Sequence, residues 1–138
     1  RKKVAGILTE ISSDMDRVSH VVSGMGLNVN GRGFPAEIAS IATSLALETG
    51  ESPDRADLVR GYLERHECWY DTFLRAGAPP ILDRWKALSR TLGSRVAVEG
   101  PGGRIEGLAR DIDRDGALLV EDDRGTLHSV FSGDVEAP

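Results

Sequence analysis

The spacing of the apolar residues changes near Leu92-Gly93, and this change limits what the chain can fold into more than any other feature. Between Pro35 and this point, apolar residues recur every three or four positions, which is the period of an amphipathic helix. After it, they alternate with polar residues, as in a strand that buries one face. We therefore predict a domain boundary at this point, with one domain over residues 1–92 and a second over residues 93–138.

The second predicted domain consists of short β runs separated by turn signals such as Asp115-Gly116, which is typical of a tight hairpin. We expect about five short strands in it. So small a sheet would expose its edges, and closure into a barrel removes them. The sequence therefore predicts a small five-stranded β-barrel.

The first residues of the chain predict a β-hairpin. Residues 3–11 and 17–29 are mostly apolar and partly β-branched, and the polar connector 12–16 separates them. Such a pair is typical of an antiparallel hairpin in a half-buried sheet. By alternation, one face of the first strand carries Val4, Gly6 and Leu8. The other face carries Lys3, Ala5, Ile7 and Ile11.

Three amphipathic helices are predicted between this hairpin and the boundary. The first follows Pro35 and ends at Gly50, the second begins at Ser52-Pro53-Asp54 and ends at Gly77, and the third runs to Gly93. Residues 1–92 are thus expected to form an antiparallel or mixed sheet with packed helices. The predicted fold class of the whole chain is α+β.

Composition excludes several classes of function. The chain has 17 basic and 22 acidic residues and a formal net charge of −5, which disfavours a general nucleic-acid-binding surface. Its one cysteine, Cys68, excludes an internal disulfide framework and a cysteine-cluster zinc site. No apolar run approaches the roughly 20 residues that span a bilayer. Because independence from disulfides fits a reducing compartment, we expect a cytoplasmic protein with no membrane partner.

Two segments carry residues suited to ligand chemistry. Lys3 stands three residues before Gly6, so its ammonium can meet a carboxylate or phosphate where a glycine lets a ligand approach the backbone. The segment Gly24-Met25-Gly26-Leu27-Asn28 joins two glycines to an amide that can face a phosphate or a metal. On pattern alone, a solvated lysine, a bulge glycine and a kinked strand end explain the same residues.

The order of these segments resembles that of the bacterial biotin–protein ligases. Residues 3–10, Lys-Val-Ala-Gly-Ile-Leu-Thr-Glu, are similar to the lysine strand of that family. The further segments that resemble it are residues 22–30, Phe34-Pro35, residues 42–45, the Trp85 helix, and residues 107–113 and 116–120 of the barrel. A lipoate-type ligase is similar in the lysine strand, and the barrel favours a biotin ligase.

The resemblance implies a fold and a reaction. The fold is the distal half of a class II synthetase-like catalytic domain followed by an SH3-like barrel. In the implied reaction, which uses ATP and Mg²⁺, the biotin carboxylate attacks the α-phosphate of ATP to form biotinyl-5′-AMP. A lysine of a biotin carboxyl carrier protein, the carrier of acetyl-CoA carboxylase, then attacks this mixed anhydride.

The resemblance also implies roles for individual residues. Lys3 is expected to be the catalytic lysine, which binds the biotin carboxylate and offsets negative charge on the reacting oxygens. The other expected biotin-binding residues are Gly6, Leu8 and Gly24. The expected nucleotide-binding residues are Asn28, Phe34 and Arg110, and Asn28 is also expected to face the metal.

Some parts of the family's pattern do not occur in the chain. Its glycine- and arginine-rich biotin loop and its winged helix belong before Arg1, so we expect residue 1 to be an internal position of a longer protein. We also expect the isolated chain to be inactive, and a repressor role would need the missing segment. A homodimer is compatible with the resemblance. The rival interpretation is a non-catalytic protein-binding module, in which a helical adaptor precedes the barrel.

Overall fold

The computed structural model describes residues 2–14, 17–100 and 103–136. Its elements are β1 (Ala5–Asp14), β2 (Arg17–Leu27), α1 (Leu45–Thr49), α2 (Arg55–Ala76), α3 (Pro79–Leu88), β3 (Arg95–Gly100), β4 (Gly103–Ile112), β5 (Leu118–Glu121), β6 (Leu127–Val130) and β7 (Asp134–Glu136). The contacts group the chain into two compact units, residues 1–64 and 65–138, which divide inside α2. The boundary at 92/93 stays a prediction.

Strands β1 and β2 form the predicted antiparallel hairpin. Gly6 pairs with Gly26 and Leu8 with Gly24, and the register shifts once, between Ser12 and Ser13. The middle of the predicted connector, residues 15–16, lies outside the described residues. The hairpin is confirmed, but the expectation that its sheet is half-buried is wrong.

Both faces of the hairpin are exposed. Ile7 and Leu8 are neighbours on opposite faces, and their exposed fractions are 69% and 68%. A two-stranded ribbon can bury a face only against a further layer of strands or helices. Within the described residues, most of β1 and β2 has no such layer.

The helix predicted from Pro35 to Gly50 is mostly absent. Residues 36–41 form turns, and α1 spans only Leu45–Thr49, with the Ser44 hydroxyl accepting from the Leu47 amide at 3.2 Å. The end at Gly50 is as predicted, since Gly50 has φ 78° and its amide donates to the Ala46 carbonyl. The prediction failed in between because residues 41–43 pair with Lys3 as a short extended segment instead of continuing a helix.

Helix α2 begins and ends as predicted, whereas α3 ends earlier than predicted. Asp54 caps α2, because its Oδ1 accepts from the amides of Ala56 and Asp57 at 2.7 and 3.1 Å, and α2 ends just before Gly77. Helix α3 ends at Leu88, before the predicted stop at Gly93. Its apolar spacing runs on to Leu92 because Leu92 packs against the core of the following sheet.

The second unit contains a five-stranded antiparallel sheet in the order β6-β5-β4-β3-β7. Its core consists of four buried side chains: Val96, Val98, Ala109 and Val120. Their alternation along β3 and β4 is the period of two seen in the sequence. Among the described residues no ladder joins β6 to β7, so closure into an SH3-like barrel stays a prediction.

Candidate functional site

The main chain of Lys3 is held by the segment 41–43. The Lys3 amide donates to the Ile41 carbonyl at 2.6 Å, and the Thr43 amide donates to the Lys3 carbonyl at 3.0 Å. These bonds make an isolated parallel bridge between Lys3 and Ala42, just before β1 begins. Lys3 is therefore fixed by a neighbour that lies far along the sequence.

The side chain of Lys3 lies over Gly6. A Cβ atom built on Gly6 would be 3.4 Å from Lys3 Cε and 3.6 Å from Lys3 Nζ. The prediction that Lys3 and Gly6 occupy opposite faces is thus wrong. Lys3 precedes the regular strand, and its pairing with Ala42 interrupts the alternation on which that prediction depended.

Three glycines leave gaps among the side chains on this face of the hairpin. Gly6 is opposite Gly26. Gly24 lies two positions before Gly26 on the same face, opposite Leu8. A Cβ on Gly26 would meet nothing within 4 Å, and one on Gly24 would meet only the Leu8 carbonyl oxygen, at 3.8 Å. We call Gly6, Gly24 and Gly26 the glycine strip. The Lys3 ammonium lies at one end of it, where a ligand could lie flat against backbone.

Asn28 joins the end of β2 to the segments that hold Lys3. Its main-chain amide donates to the Val4 carbonyl at 2.9 Å, and its side-chain Nδ2 donates to the Thr43 carbonyl at 3.0 Å. Its carbonyl accepts from the Leu45 amide at 3.0 Å. The side-chain nitrogen Nδ2 thus already donates to Thr43, and Oδ1 is the side-chain atom that remains for a ligand.

Thr43 is the residue of this site that the sequence reasoning missed. Its side chain is 4% exposed, and its hydroxyl donates to Glu48 Oε1 at 2.6 Å. The apolar spacing predicts that residues 42–44 lie inside a helix, and it predicts no role for Thr43. The signal that could have found it is the Thr-Ser pair itself, because such a pair ahead of an apolar run marks a helix start.

The other predicted site residues are placed as follows. Leu8 is exposed on the glycine-strip face, and Phe34 is half-buried in the loop after β2. Arg110 belongs to the second unit, where it lies at an irregularity in β4 between Ala109 and Asp111. The structure thus brings together Lys3, Gly6, Leu8, Gly24 and Asn28. Phe34 is not among the residues that these hydrogen bonds and strand pairings bring together.

Arg110 is ion-paired within its own unit. Its Nε is 2.7 Å from Glu121 Oε2, and its Nη2 is 3.1 Å from Glu121 Oε1. This two-point hydrogen bond raises the pKa of Arg110 and lowers that of Glu121. A bulge commonly re-aims a side chain, and here the two hydrogen bonds to Glu121 fix the direction of the guanidinium.

The two residues after Glu121 are also paired. Asp122 Oδ2 lies 2.9 Å from His128 Nε2, and Asp122 Oδ1 accepts from the amides of Arg124 and Thr126, both at 2.9 Å. These hydrogen bonds lower the pKa of Asp122 to about 2, and the bond with His128 has the largest effect. Arg95 contacts Asp123 through two hydrogen bonds of 2.7 Å. Each carboxylate of this run is therefore already engaged in hydrogen bonds within its own unit.

The described ranges 2–14, 17–100 and 103–136 contain no group of three or more histidine, cysteine or acidic side chains placed to hold a metal ion. No helix in the same ranges is long and apolar enough to cross a membrane.

Residues 91–137 match the family described as "Biotin protein ligase C terminal domain". The chain is 36% identical over 137 residues to a protein of Bacillus subtilis named "Bifunctional ligase/repressor BirA", covering 98% of the chain and 42% of that protein. It is 40% identical over 135 residues to the "Biotin--[acetyl-CoA-carboxylase] ligase" of Mycobacterium tuberculosis, covering 96% of the chain and 47% of that protein. The chain thus spans less than half the length of these two relatives.

Solved structures of similar fold include biotin protein ligase from Aquifex aeolicus. The apo structure superposes with a TM-score of 0.84 at 28% identity, covering 99% of the chain and 59% of that protein. The complex with biotin and ATP superposes with a TM-score of 0.83 at 28% identity, covering 99% of the chain and 56% of that protein.

Proposed function

The chain is related to the bacterial biotin–protein ligases along nearly its whole length, and from this premise we propose that it is the distal part of such a ligase. The whole enzyme joins biotin to ATP to give biotinyl-5′-AMP and pyrophosphate. It then transfers the biotinyl group to a lysine of a biotin carboxyl carrier protein, and AMP leaves. The carrier is that of acetyl-CoA carboxylase, the substrate named for the Mycobacterium tuberculosis relative.

The observation that carries this proposal is the Lys3 ammonium at the end of the glycine strip. In the proposed complex, the biotin ring system lies along the strip, on Gly6 and Gly24 and beside Leu8, and its carboxylate meets Lys3. A hydrogen bond between charged groups contributes about 1.5–3 kcal/mol to a ground-state complex. It contributes more where negative charge must be stabilised in the transition state, as on the phosphoryl oxygens of the α-phosphate during adenylation.

The nucleotide is proposed to extend beyond Lys3, toward Asn28 and the loop that carries Phe34. The Phe34 ring offers an apolar surface for adenine, and the Arg110 guanidinium offers a charge for the phosphates. These roles follow from the family resemblance. Asn28 Oδ1 is the atom of that side chain that remains for a metal ion or its water, Phe34 is half-buried, and Arg110 is ion-paired with Glu121.

The residues fit a magnesium ion only if the ion arrives with the nucleotide. Mg²⁺ usually keeps several waters and is bound by substrate phosphates together with one or two protein groups. The described ranges hold no cluster that would bind it alone, and Asn28 Oδ1 is the one predicted ligand in place to meet it or its water. Magnesium bound there would offset phosphate charge during adenylation.

We further propose that residues 1–92 form a class II synthetase-like domain and residues 93–138 an SH3-like domain. We also propose that the protein is a homodimer and is cytoplasmic, without a membrane partner. Nucleic-acid binding is not part of it, because the chain has a net charge of −5.

We also propose that residues 1–138 alone do not turn over. The support for this is that the hairpin carrying Gly6 and Gly24 is covered on neither face. An isolated two-stranded sheet is marginally stable in water, so the glycine strip is not rigid enough to preorganise a site. Further strands or helices against the hairpin would supply the missing support.

The test is transfer of labelled biotin to a carrier domain, followed by filter binding. We expect turnover by the full-length gene product that contains this chain and none by residues 1–138. The Lys3→Met variant of the full-length product should lose most of the rate. Absence of transfer and of biotin binding by the folded full-length product would instead favour a protein-binding module.

A further inference from the structure

Thr43 is a buried junction at which three hydrogen bonds meet. Its amide donates to the Lys3 carbonyl at 3.0 Å, its carbonyl accepts from Asn28 Nδ2 at 3.0 Å, and its hydroxyl donates to Glu48 at 2.6 Å. Each of its three polar groups is therefore engaged inside the protein. Because Thr43 is held at three points, it can fix the position of the main chain that is bonded to it.

Lys3 depends on this junction for its own position. It lies before β1, so the β1–β2 ladder does not fix it, and its main chain is instead bonded to Ile41 and Thr43. Asn28 holds the chain on both sides of this point. Its side chain bonds to Thr43, beside Lys3, and its main-chain amide bonds to Val4, which follows Lys3.

From these contacts we propose that Asn28 is a positioning residue for Lys3, acting through Thr43, in the binding of the biotin carboxylate. The inference rests on the proposed function, because it requires that Lys3 bind this carboxylate. Asn28 Nδ2 fixes the Thr43 carbonyl, and the Thr43 amide fixes the main chain of Lys3. The ammonium is thereby kept over Gly6, at the end of the glycine strip.

The same hydrogen bond decides which ligand atoms Asn28 can meet. The nitrogen is the half of the amide that could donate to a phosphate, and it is committed to the Thr43 carbonyl. The remaining oxygen is an acceptor, which repels a phosphate and suits a metal-held water. Asn28 therefore affects the binding of biotin before any nucleotide is present.

The experiment measures the Kd of biotin by calorimetry in the full-length gene product, without ATP and without magnesium. Asn28→Ala should weaken biotin binding about three- to tenfold, because Lys3 keeps its charge and loses its fixed direction. Asn30→Ala is the matched control. Asn30 Nδ2 also donates to a main-chain carbonyl, that of Pro53 at 3.3 Å, and this bond does not involve the segments that hold Lys3. It should keep the wild-type affinity.

A double-mutant cycle with Lys3→Ala separates positioning from a general structural effect. Lys3→Ala alone should weaken biotin binding about tenfold or more. If Asn28 acts through Lys3, then Asn28→Ala adds no further loss in the Lys3→Ala background. Asn28→Asp provides a second variant if Asn28→Ala does not fold, since a carboxylate keeps the shape but cannot donate to Thr43.

Three results would overturn the inference. The first is additive losses in the cycle, and the second is unchanged biotin affinity in folded Asn28 variants together with a raised KM for ATP. In either case Lys3→Ala still weakens biotin binding, so the proposed function survives. The third is unchanged biotin affinity in Lys3→Ala, which removes the proposed function and this inference with it.

Discussion

Larger side chains at position 6 should displace Lys3 in a graded way. A Cβ there would lie 3.4 Å from Lys3 Cε, and the backbone of Gly6 is outside the left-handed region that favours glycine. Alanine thus fits in ordinary contact. A valine methyl directed at the lysine would approach Cε to about 2–2.5 Å, far inside the ~3.5–4.0 Å at which carbon atoms pack.

The size of the effect follows from the bond that is lost. If Lys3 must move in Gly6→Val, the complex loses a charge-assisted hydrogen bond of about 1.5–3 kcal/mol, which weakens biotin binding roughly 10- to 150-fold. Gly6→Ala should change the Kd by about threefold or less, since a shift of a few tenths of an ångström suffices. Valine is favourable in a strand, so the thermal midpoint should not fall.

Biotin calorimetry on the full-length gene product checks this series. Thr9→Val is the matched control, because it places the same β-branched residue in β1 on the face opposite Gly6. We expect Thr9→Val to bind biotin as the wild type does. The reasoning is refuted if Gly6→Val binds biotin with unchanged affinity, or if Thr9→Val loses as much as Gly6→Val.

Three further predictions concern stability and are checked by denaturant unfolding of the 138-residue chain. Gly107→Ala should lower the free energy of unfolding by several kcal/mol or prevent folding of the second unit, because its Cβ would lie 2.2 Å from the Glu121 carbonyl oxygen. A loss under about 1 kcal/mol would contradict this. Gly61→Ala, in α2, should raise the free energy of unfolding by about 0.5–1 kcal/mol, because alanine favours a helix more than glycine does and a Cβ there meets nothing within 4 Å. A lower free energy of unfolding would contradict this. Asp122→Asn should be less stable than the wild type above the ordinary carboxyl pKa of 3.8, and the difference should shrink below that pH and vanish as the pH falls through the folded pKa of about 2. A difference that persists at the lower pH would be evidence against the role of the Asp122 carboxylate.

The sequence predicted the elements that local chemistry determines. The start of α2 follows from Asp54, whose carboxylate caps the first amides, and the ends of α1 and α2 follow from Gly50 and Gly77, both at positive φ. The hairpin follows from two apolar runs of similar length around a polar connector. The residues that decide each of these features are neighbours in the chain.

The sequence could not predict features that depend on distant residues. The helical spacing from Ile38 to Ala46 is genuine, yet residues 41–43 bond to Lys3, and no local pattern announces that pairing. The same pairing places the Lys3 side chain on the face of Gly6, whereas simple alternation along the strand predicts the opposite face. Thr43 was missed for this reason, since its importance comes from Lys3, Asn28 and Glu48 together.

Exposure was mispredicted for a different reason. The apolar residues of β1 and β2 predict burial, but burial needs a second layer, and the described residues supply little of it. The chain spans 42% of the Bacillus subtilis relative, which leaves room in such proteins for a covering layer.

The most direct measurement compares the affinities for biotin and for biotinol, in which an alcohol replaces the carboxylate, in the full-length product and in Lys3→Met. Methionine keeps the length of the lysine stem and removes its charge. If the ammonium of Lys3 binds the carboxylate, the wild type should prefer biotin over biotinol roughly tenfold or more, and Lys3→Met should lose that preference. A folded Lys3→Met variant that prefers biotin as strongly as the wild type would contradict the account.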